Sequence, residues 1–175
     1  VGFMATEDNT TIQIFGYNPN CTFRLGTNPS GITSDAITIN LNAGQTYVLE
    51  ALISVANSPN IDGWLGASIT SNKNIAVNIG QMLFQSGPTS AGQDAGIDQI
   101  IPENTLGKEY VFVRGNGIDE LEFPVIVATV NNTKIYVNGD STPIATINNG
   151  DYYAIPSSYY SASSTTTSNP GANMY

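Results

Sequence analysis

The chain is 175 residues long and 41% hydrophobic yet only 11% charged, with five Lys and Arg against fourteen Asp and Glu and a net charge of −9. Phosphate backbones and anionic membranes are recognised by clustered cations, so this balance argues against nucleic acid or an anionic membrane as a partner. There is no histidine, which removes Ser-His-Asp and Cys-His catalysis and every imidazole-bearing metal site.

From the N-terminus onward, alternating apolar residues predict β-strands joined by turns rich in Asx and Gly. Residues 3–17 read as a hairpin turning at Glu7-Asp8-Asn9, with Ile12 and Ile14 facing a core. Asp and Asn suit such a turn because their side chains bond nearby backbone and tolerate left-handed φ. Residues 18–35, rich in Asn, Pro, Gly and Thr, read as a loop. That loop holds Cys21, the single cysteine, so no intrachain disulfide exists; it reads as a small semi-buried residue rather than a reactive thiol. Residues 36–49 predict a second hairpin around Asn42-Ala43-Gly44-Gln45. Loop 50–64 follows and ends on Trp64, and residues 65–79 predict a third strand pair around Ser71-Asn72-Lys73-Asn74.

The same order then returns. Ala5-Thr6-Glu7-Asp8-Asn9-Thr10-Thr11-Ile12 reappears ungapped as Ala128-Thr129-Val130-Asn131-Asn132-Thr133-Lys134-Ile135, and Asn42 and Gly44 reappear as Asn148 and Gly150. Gly171-Ala172-Asn173-Met174 matches Gly66-Ala67-Ser68-Ile69. The offset is 123 between Ala5 and Ala128 but 106 between Asn42 and Asn148, which places a longer loop in copy one around 18–35. The organisation is a first β repeat at 1–82, a connector at 83–109 and a second repeat at 110–175. Residues 109–113 are expected to form a strand beside residues 124–129. Copy two stops inside its third segment, and the chain opens at Val1 with no leader, so it reads as a piece of a longer protein. With no sustained helical periodicity the fold class is all-β: tandem antiparallel β-sandwich-like repeats, with β-propeller-like blades as the alternative. No apolar run approaches the roughly 18–20 residues that span a bilayer.

Candidate chemistry is sparse. Glu7/Asp8, Asp94/Asp98 and Asp119/Glu120/Glu122 are the carboxylate pairs left for catalysis, whereas a glycosidase needs two carboxylates facing each other about 5–9 Å apart across a cleft. Turn neighbours point into solvent instead, so the chain reads as non-enzymatic. Asp94-Ala95-Gly96-Ile97-Asp98 places two hard-oxygen side chains close in sequence and is the candidate Ca2+ site, without the EF-hand pattern. The alternative is a structural turn in which Asp98 caps backbone or pairs with Lys108 or Arg114. No other cofactor is expected. Tyr47, Tyr110, Phe112 and Tyr153 fall in alternating strands and read as core. Trp64, Tyr159 and Tyr160 are the candidate ligand-binding aromatics, with a plug over the end of a sandwich as the alternative for Trp64.

With these segments in place, the chain resembles the IgG Fc-binding-protein N-terminal domain family. The residues that carry the likeness are Ala5-Thr6-Glu7-Asp8-Asn9-Thr10-Thr11-Ile12, Asn42-Ala43-Gly44-Gln45-Thr46-Tyr47 and Ile69-Thr70-Ser71-Asn72-Lys73-Asn74-Ile75-Ala76-Val77. Asp98-Gln99-Ile100-Ile101-Pro102 and Leu106-Gly107-Lys108-Glu109-Tyr110-Val111 extend it over nearly the whole chain. The family occurs in mucus Fc-binding proteins and in large surface proteins of Bacteroidetes-type bacteria. The Asn-rich, Lys-poor composition is more similar to the bacterial branch, which includes gliding-associated adhesins. The resemblance implies a secreted or cell-surface adhesion or recognition module of a long multidomain protein. Its partners would be an extracellular glycan or protein, or neighbouring domains of its own chain, without membrane insertion. A structural spacer or filament-forming domain with no ligand of its own is the alternative. Binding is expected on loops 18–35, 50–64 and 156–170, which differ between the copies; no Fc-contacting residues are carried over.

Overall fold

The computed structural model describes residues 1–24, 36–51, 59–84, 94–115, 122–160 and 173–174. The chain divides into two compact units, Val1–Met82 with Ala95–Ile100 and Leu83–Asp94 with Ile101–Tyr175. The strands come first as β1 (Gly2–Ala5), β2 (Thr10–Phe15), β3 (Phe23–Arg24), β4 (Ala36–Leu41) and β5 (Thr46–Val48). They continue as β6 (Glu50–Ala51), β7 (Ser68–Ser71), β8 (Ile75–Phe84), β9 (Asp94–Gln99) and β10 (Phe112–Val113). The last are β11 (Val125–Val127), β12 (Thr133–Ile135), β13 (Ala145–Ile147), β14 (Tyr152–Ala154) and β15 (Asn173–Met174). Among the described residues the helical elements are two single 3-10 turns, Glu103–Thr105 and Ser157–Tyr159. The all-β expectation holds, in antiparallel sheets.

In the first unit the principal sheets run β5-β1-β8-β9 and β4-β2-β7. Phe3 and Ala5 from one sheet are buried in the same cluster as Ile12, Ile14, Ile37, Ile39 and Leu41 from the other. The two sheets therefore face each other across a shared core, as the alternation predicted. The connections differ from prediction. Each segment read as a hairpin is an arch: β1 takes β5 and β8 as partners, while β2 takes β4 and β7. The chain crosses from sheet to sheet at 6–9, at 42–45 and at 72–74. Alternation specifies which side chains face the core, and it is identical for a hairpin and for two strands lining opposite walls of that core.

The corners explain why the arch forms. Asn9 (φ 55°) and Gly44 (φ 76°) turn the chain through the left-handed region that Asn and Gly tolerate. Neighbouring corners then satisfy one another's backbone. Asn9 N–H donates to Asn42 Oδ1 at 3.0 Å, and Ala43 N–H to Asp8 Oδ1 at 3.1 Å. On the other flank Thr11 N–H donates to Asn72 Oδ1 at 2.7 Å, Asn72 N–H to Thr11 O at 3.2 Å, and Asn72 Nδ2 to Asn9 O at 3.3 Å. The 6–9 corner thus lies between the other two.

The second unit repeats this chemistry. β11 pairs with β14 and β12 with β13. Asn132 (φ 59°) and Gly150 (φ 84°) turn the corners. Asn132 N–H donates to Asn148 Oδ1 at 3.3 Å and Asn149 N–H to Asn131 Oδ1 at 3.1 Å. Gly150 N–H donates to Ala128 O at 2.9 Å, as Gly44 N–H does to Ala5 O at 2.9 Å. Asp8 and Asn131 play one part, so the corner uses an oxygen acceptor and not a charge. A smaller core gathers Ile135, Val137 and Ile155 with Ile126, Ile147 and Tyr153 against it. The strand expected beside 124–129 is not residues 109–113: β10 pairs with β15, and β11 with β14. That expectation rested on adjacency in sequence, which an arch-built fold does not preserve.

The corner chemistry has a direct test in urea unfolding. Asp8→Asn keeps the acceptor and is expected to change stability by less than about 0.5 kcal/mol. Asp8→Ala and Asn72→Ala remove acceptors for Ala43 N–H and Thr11 N–H and should each cost about 0.5–1.5 kcal/mol. Equal losses for Asp8→Asn and Asp8→Ala would contradict the acceptor role.

Candidate functional site

At one end of the first unit, residues 17–24 and 59–64 are stitched together. Buried Asn60 bridges them, accepting from Thr22 N–H at 2.8 Å and donating through Nδ2 to Thr22 O at 2.6 Å. Asn18 N–H donates to Gly63 O at 2.8 Å, and the buried Cys21 thiol to Pro59 O at 3.3 Å. Half-buried Trp64 packs edge-on against Phe23 (centroids 4.2 Å, 72°) and tilted against Tyr17 (5.9 Å). Trp64 thereby packs against the first core. Tyr17 Oη and Trp64 Nε1 are buried there without hydrogen-bond partners, so aromatic packing holds the indole in place. Burial, and secondarily the Asp62 carboxylate, pushes the Cys21 thiol above its ordinary pKa.

Each of the other candidates has its own surroundings. Asp94 and Asp98 stand on strand β9, not in a turn. Extended backbone at about 3.3 Å per residue sets their Cα atoms roughly 13 Å apart. The Asp98 carboxylate is exposed and accepts from Gln99 N–H at 2.7 Å. Among the described residues there is no group of three or more Cys, Asp or Glu placed to hold a metal ion. Tyr159 is exposed, and its carbonyl accepts from Asn138 Nδ2 at 2.7 Å. Tyr160 packs half-buried against the second core. Its pKa is raised by burial and then by Glu122, with Arg114 opposing. Tyr47, Phe112 and Tyr153 pack against the cores as expected. Tyr110 does not: it is exposed and stacks on Phe112 with centroids 6.4 Å apart. Residues 25–35, 52–58 and 161–172, which make up much of the three variable loops, lie outside the described residues, as do Asp119 and Glu120.

Sequence reasoning missed the outer face of the β5-β1-β8-β9 sheet. Burying Phe3 and Ala5 turns Gly2 and Met4 outward, and strand register sets Val48 and Asn78 beside Gly2, and Thr46 and Ala76 beside Met4. With Ile97, Asp98 and Gln99 these residues line a groove of about 560 Å³. Val48 is 69% exposed, Ile97 81% and Met4 41%. The solvent face of a half-buried strand is ordinarily polar, so these exposed aliphatic side chains, one on each of β1, β5 and β9, are the departure that marks the face. A side chain at Gly2 would run into Asn78 Oδ1, and one at Gly80 would come within 3.0 Å of Ile97 Cγ1. Both glycines therefore keep the surface low. The groove's rings, Phe3 and Tyr47, belong to the core. What faces solvent is aliphatic, with amide and carboxylate groups beside it. That surface complements apolar side chains and backbone amides of a polypeptide better than a sugar ring, which is held by stacking on an open aromatic face. The sequence signal was Gly2-Phe3-Met4-Ala5, an apolar run where a one-faced strand would alternate.

A family model described as IgGFc binding protein matches residues 1–172. The chain belongs to that family. No curated protein and no solved structure matches it. IgGFc binding protein domains are extracellular binding-type domains. This one has, among its described residues, no helix long and apolar enough to cross a membrane.

Two outcomes are expected at the stitched end. A methyl at Gly63 would collide with Cys21 Sγ, Pro59 O and Asn18 Cβ, so Gly63→Ala should lower stability by about 1–3 kcal/mol in urea unfolding. For Cys21 the folded pKa is raised. Its contribution is therefore complete below the ordinary thiol value and is lost as pH rises through the higher folded value. Tm should fall with pH above about 8.5, and Cys21→Ala should remove that part of the slope. Parallel pH profiles for the two proteins would contradict it.

Proposed function

We propose that the chain is a non-enzymatic adhesion or recognition module of a large secreted or surface-anchored protein. Its outer-face groove is where a protein partner is held. The observation that carries this reading is the groove with Met4, Val48 and Ile97 exposed on three of its strands around a shallow floor, in a domain of an extracellular binding family. A chain without histidine supports the non-enzymatic part. The Asn-rich, Lys-poor composition supports placing it with bacterial surface and gliding-associated adhesins. The loop segments 17–24 and 59–64 are bonded to each other, which favours the sheet face over that end as the binding surface.

The test uses the whole chain against immobilised immunoglobulin G Fc fragments and a displayed-peptide library. Saturable binding is expected with at least one of these probes. Val48→Asp and Ile97→Asp should weaken it by about tenfold or more with the unfolding midpoint unchanged. Absence of binding to both probes, the behaviour of a spacer, would overturn the reading. So would aspartate variants that bind as well as the parent.

A further inference from the structure

Two Asn-Gly pairs lie among the described residues, Asn138-Gly139 and Asn149-Gly150. In such a pair the glycine backbone nitrogen can attack the side-chain carbonyl carbon of the asparagine, because no Cβ crowds the approach. The pairs differ in what their glycine nitrogens do. Gly150 N–H donates to Ala128 O at 2.9 Å, and Asn149 N–H to Asn131 Oδ1 at 3.1 Å. The nucleophile of that pair is therefore engaged in its corner. Gly139 N–H makes no such bond to a described residue. Asn138 (φ 56°) and Gly139 (φ 75°) are the central residues of a turn closed by Asp140 N–H donating to Val137 O at 3.1 Å. Positive φ at both positions is the geometry that Asn-Gly favours. Both residues are exposed, and a Cβ on Gly139 would meet nothing within 4 Å, so the turn is open to water on that side.

The bond that the Asn138 amide makes gives its chemistry a consequence. Asn138 Nδ2 donates to Tyr159 O at 2.7 Å. Tyr159 ends the 3-10 turn Ser157–Tyr159, in which Tyr159 N–H donates to Pro156 O and Tyr160 N–H to Ser157 O, both at 3.0 Å. On either side of that turn, Ile155 and Tyr160 join Val137 in the second core. The amide thus ties the start of the 156–170 segment to the 137–140 turn. A carboxylate in its place has no proton to donate and repels the Tyr159 carbonyl oxygen.

We propose that Asn138 is a site of spontaneous, one-way deamidation, and that the acid it becomes releases the Ser157–Tyr159 turn. The bond from Gly139 N to Asn138 Cγ forms as the Cγ–Nδ2 bond breaks, and Nδ2 leaves as ammonia with the proton that Gly139 N gives up. Water then opens the five-membered ring at one carbonyl or the other, leaving aspartate or isoaspartate. No oxidant or reductant takes part. The second Asn-Gly pair, held in its corner by the Gly150 and Asn149 N–H bonds, is the protected one. The inference concerns the second unit alone and stands independently of the groove.

Prolonged incubation of the whole chain at mildly alkaline pH, followed by peptide mapping by mass spectrometry, tests the chemistry. Acid should accumulate at Asn138 at least about fivefold faster than at Asn149, whose glycine must first give up its hydrogen bond. The variant Asn138→Asp, made directly, tests the consequence by residue-resolved amide hydrogen exchange. Exchange at Tyr159 and Tyr160 should quicken by about fivefold or more, with the Ile144 amide, bonded to Ile135 O, unchanged. Reaction at Asn149 as fast as at Asn138 would overturn the proposal. So would an Asn138→Asp chain whose Tyr159 and Tyr160 amides exchange as in the parent.

Discussion

Side-chain oxygens at the strand corners take the place of backbone partners that a hairpin would supply internally. Asn42, Asp8 and Asn72 each accept from the N–H of an adjacent corner or strand end. A strand that need not pair with its sequence neighbour is free to enter the opposite sheet. The shared core follows, because β1 and β2 then line facing walls with Phe3 and Ala5 opposite Ile12 and Ile14. A chain with few charged residues can sustain this, since amide oxygens serve as well as carboxylates. The exchange of Asp8 for Asn131 between units shows it.

Much of the fold was legible in the sequence, and the limit has a physical cause. Period-two alternation located β1, β2, β4, β5, β7 and β8, and it named Ile12 and Ile14 as inward-facing, which they are. The repeat read from Ala5 and Ala128 is visible in the structure bond by bond, down to Gly44 and Gly150. Pairing was not legible. A hairpin and an arch share one pattern of burial, and what separates them is the destination of hydrogen bonds from groups such as Thr11 N–H. Tyr110 was misplaced for a related reason: alternation was assumed to continue through residues where the chain is mostly exposed.

The candidate site was less legible still. Trp64 reads from the sequence as a candidate ligand-binding aromatic at the end of loop 50–64, and the structure gives its ring Phe23 and Tyr17 as neighbours. Asp94 and Asp98 read as a candidate Ca2+ site or a structural turn, yet they lie in β9. The outer-face groove depends on register that no local pattern encodes, since Val48, Gly2 and Asn78 come together only when β5, β1 and β8 pair. In an extracellular binding family, a sheet that keeps aliphatic side chains in solvent departs from what folding alone requires.

Cross-strand nuclear Overhauser contacts along β1 test the arch most directly. The account predicts backbone contacts from Phe3 to both Tyr47 and Val77, in the observed register. Contacts from β1 to β2 in a hairpin register, with none to Tyr47 or Val77, would contradict it.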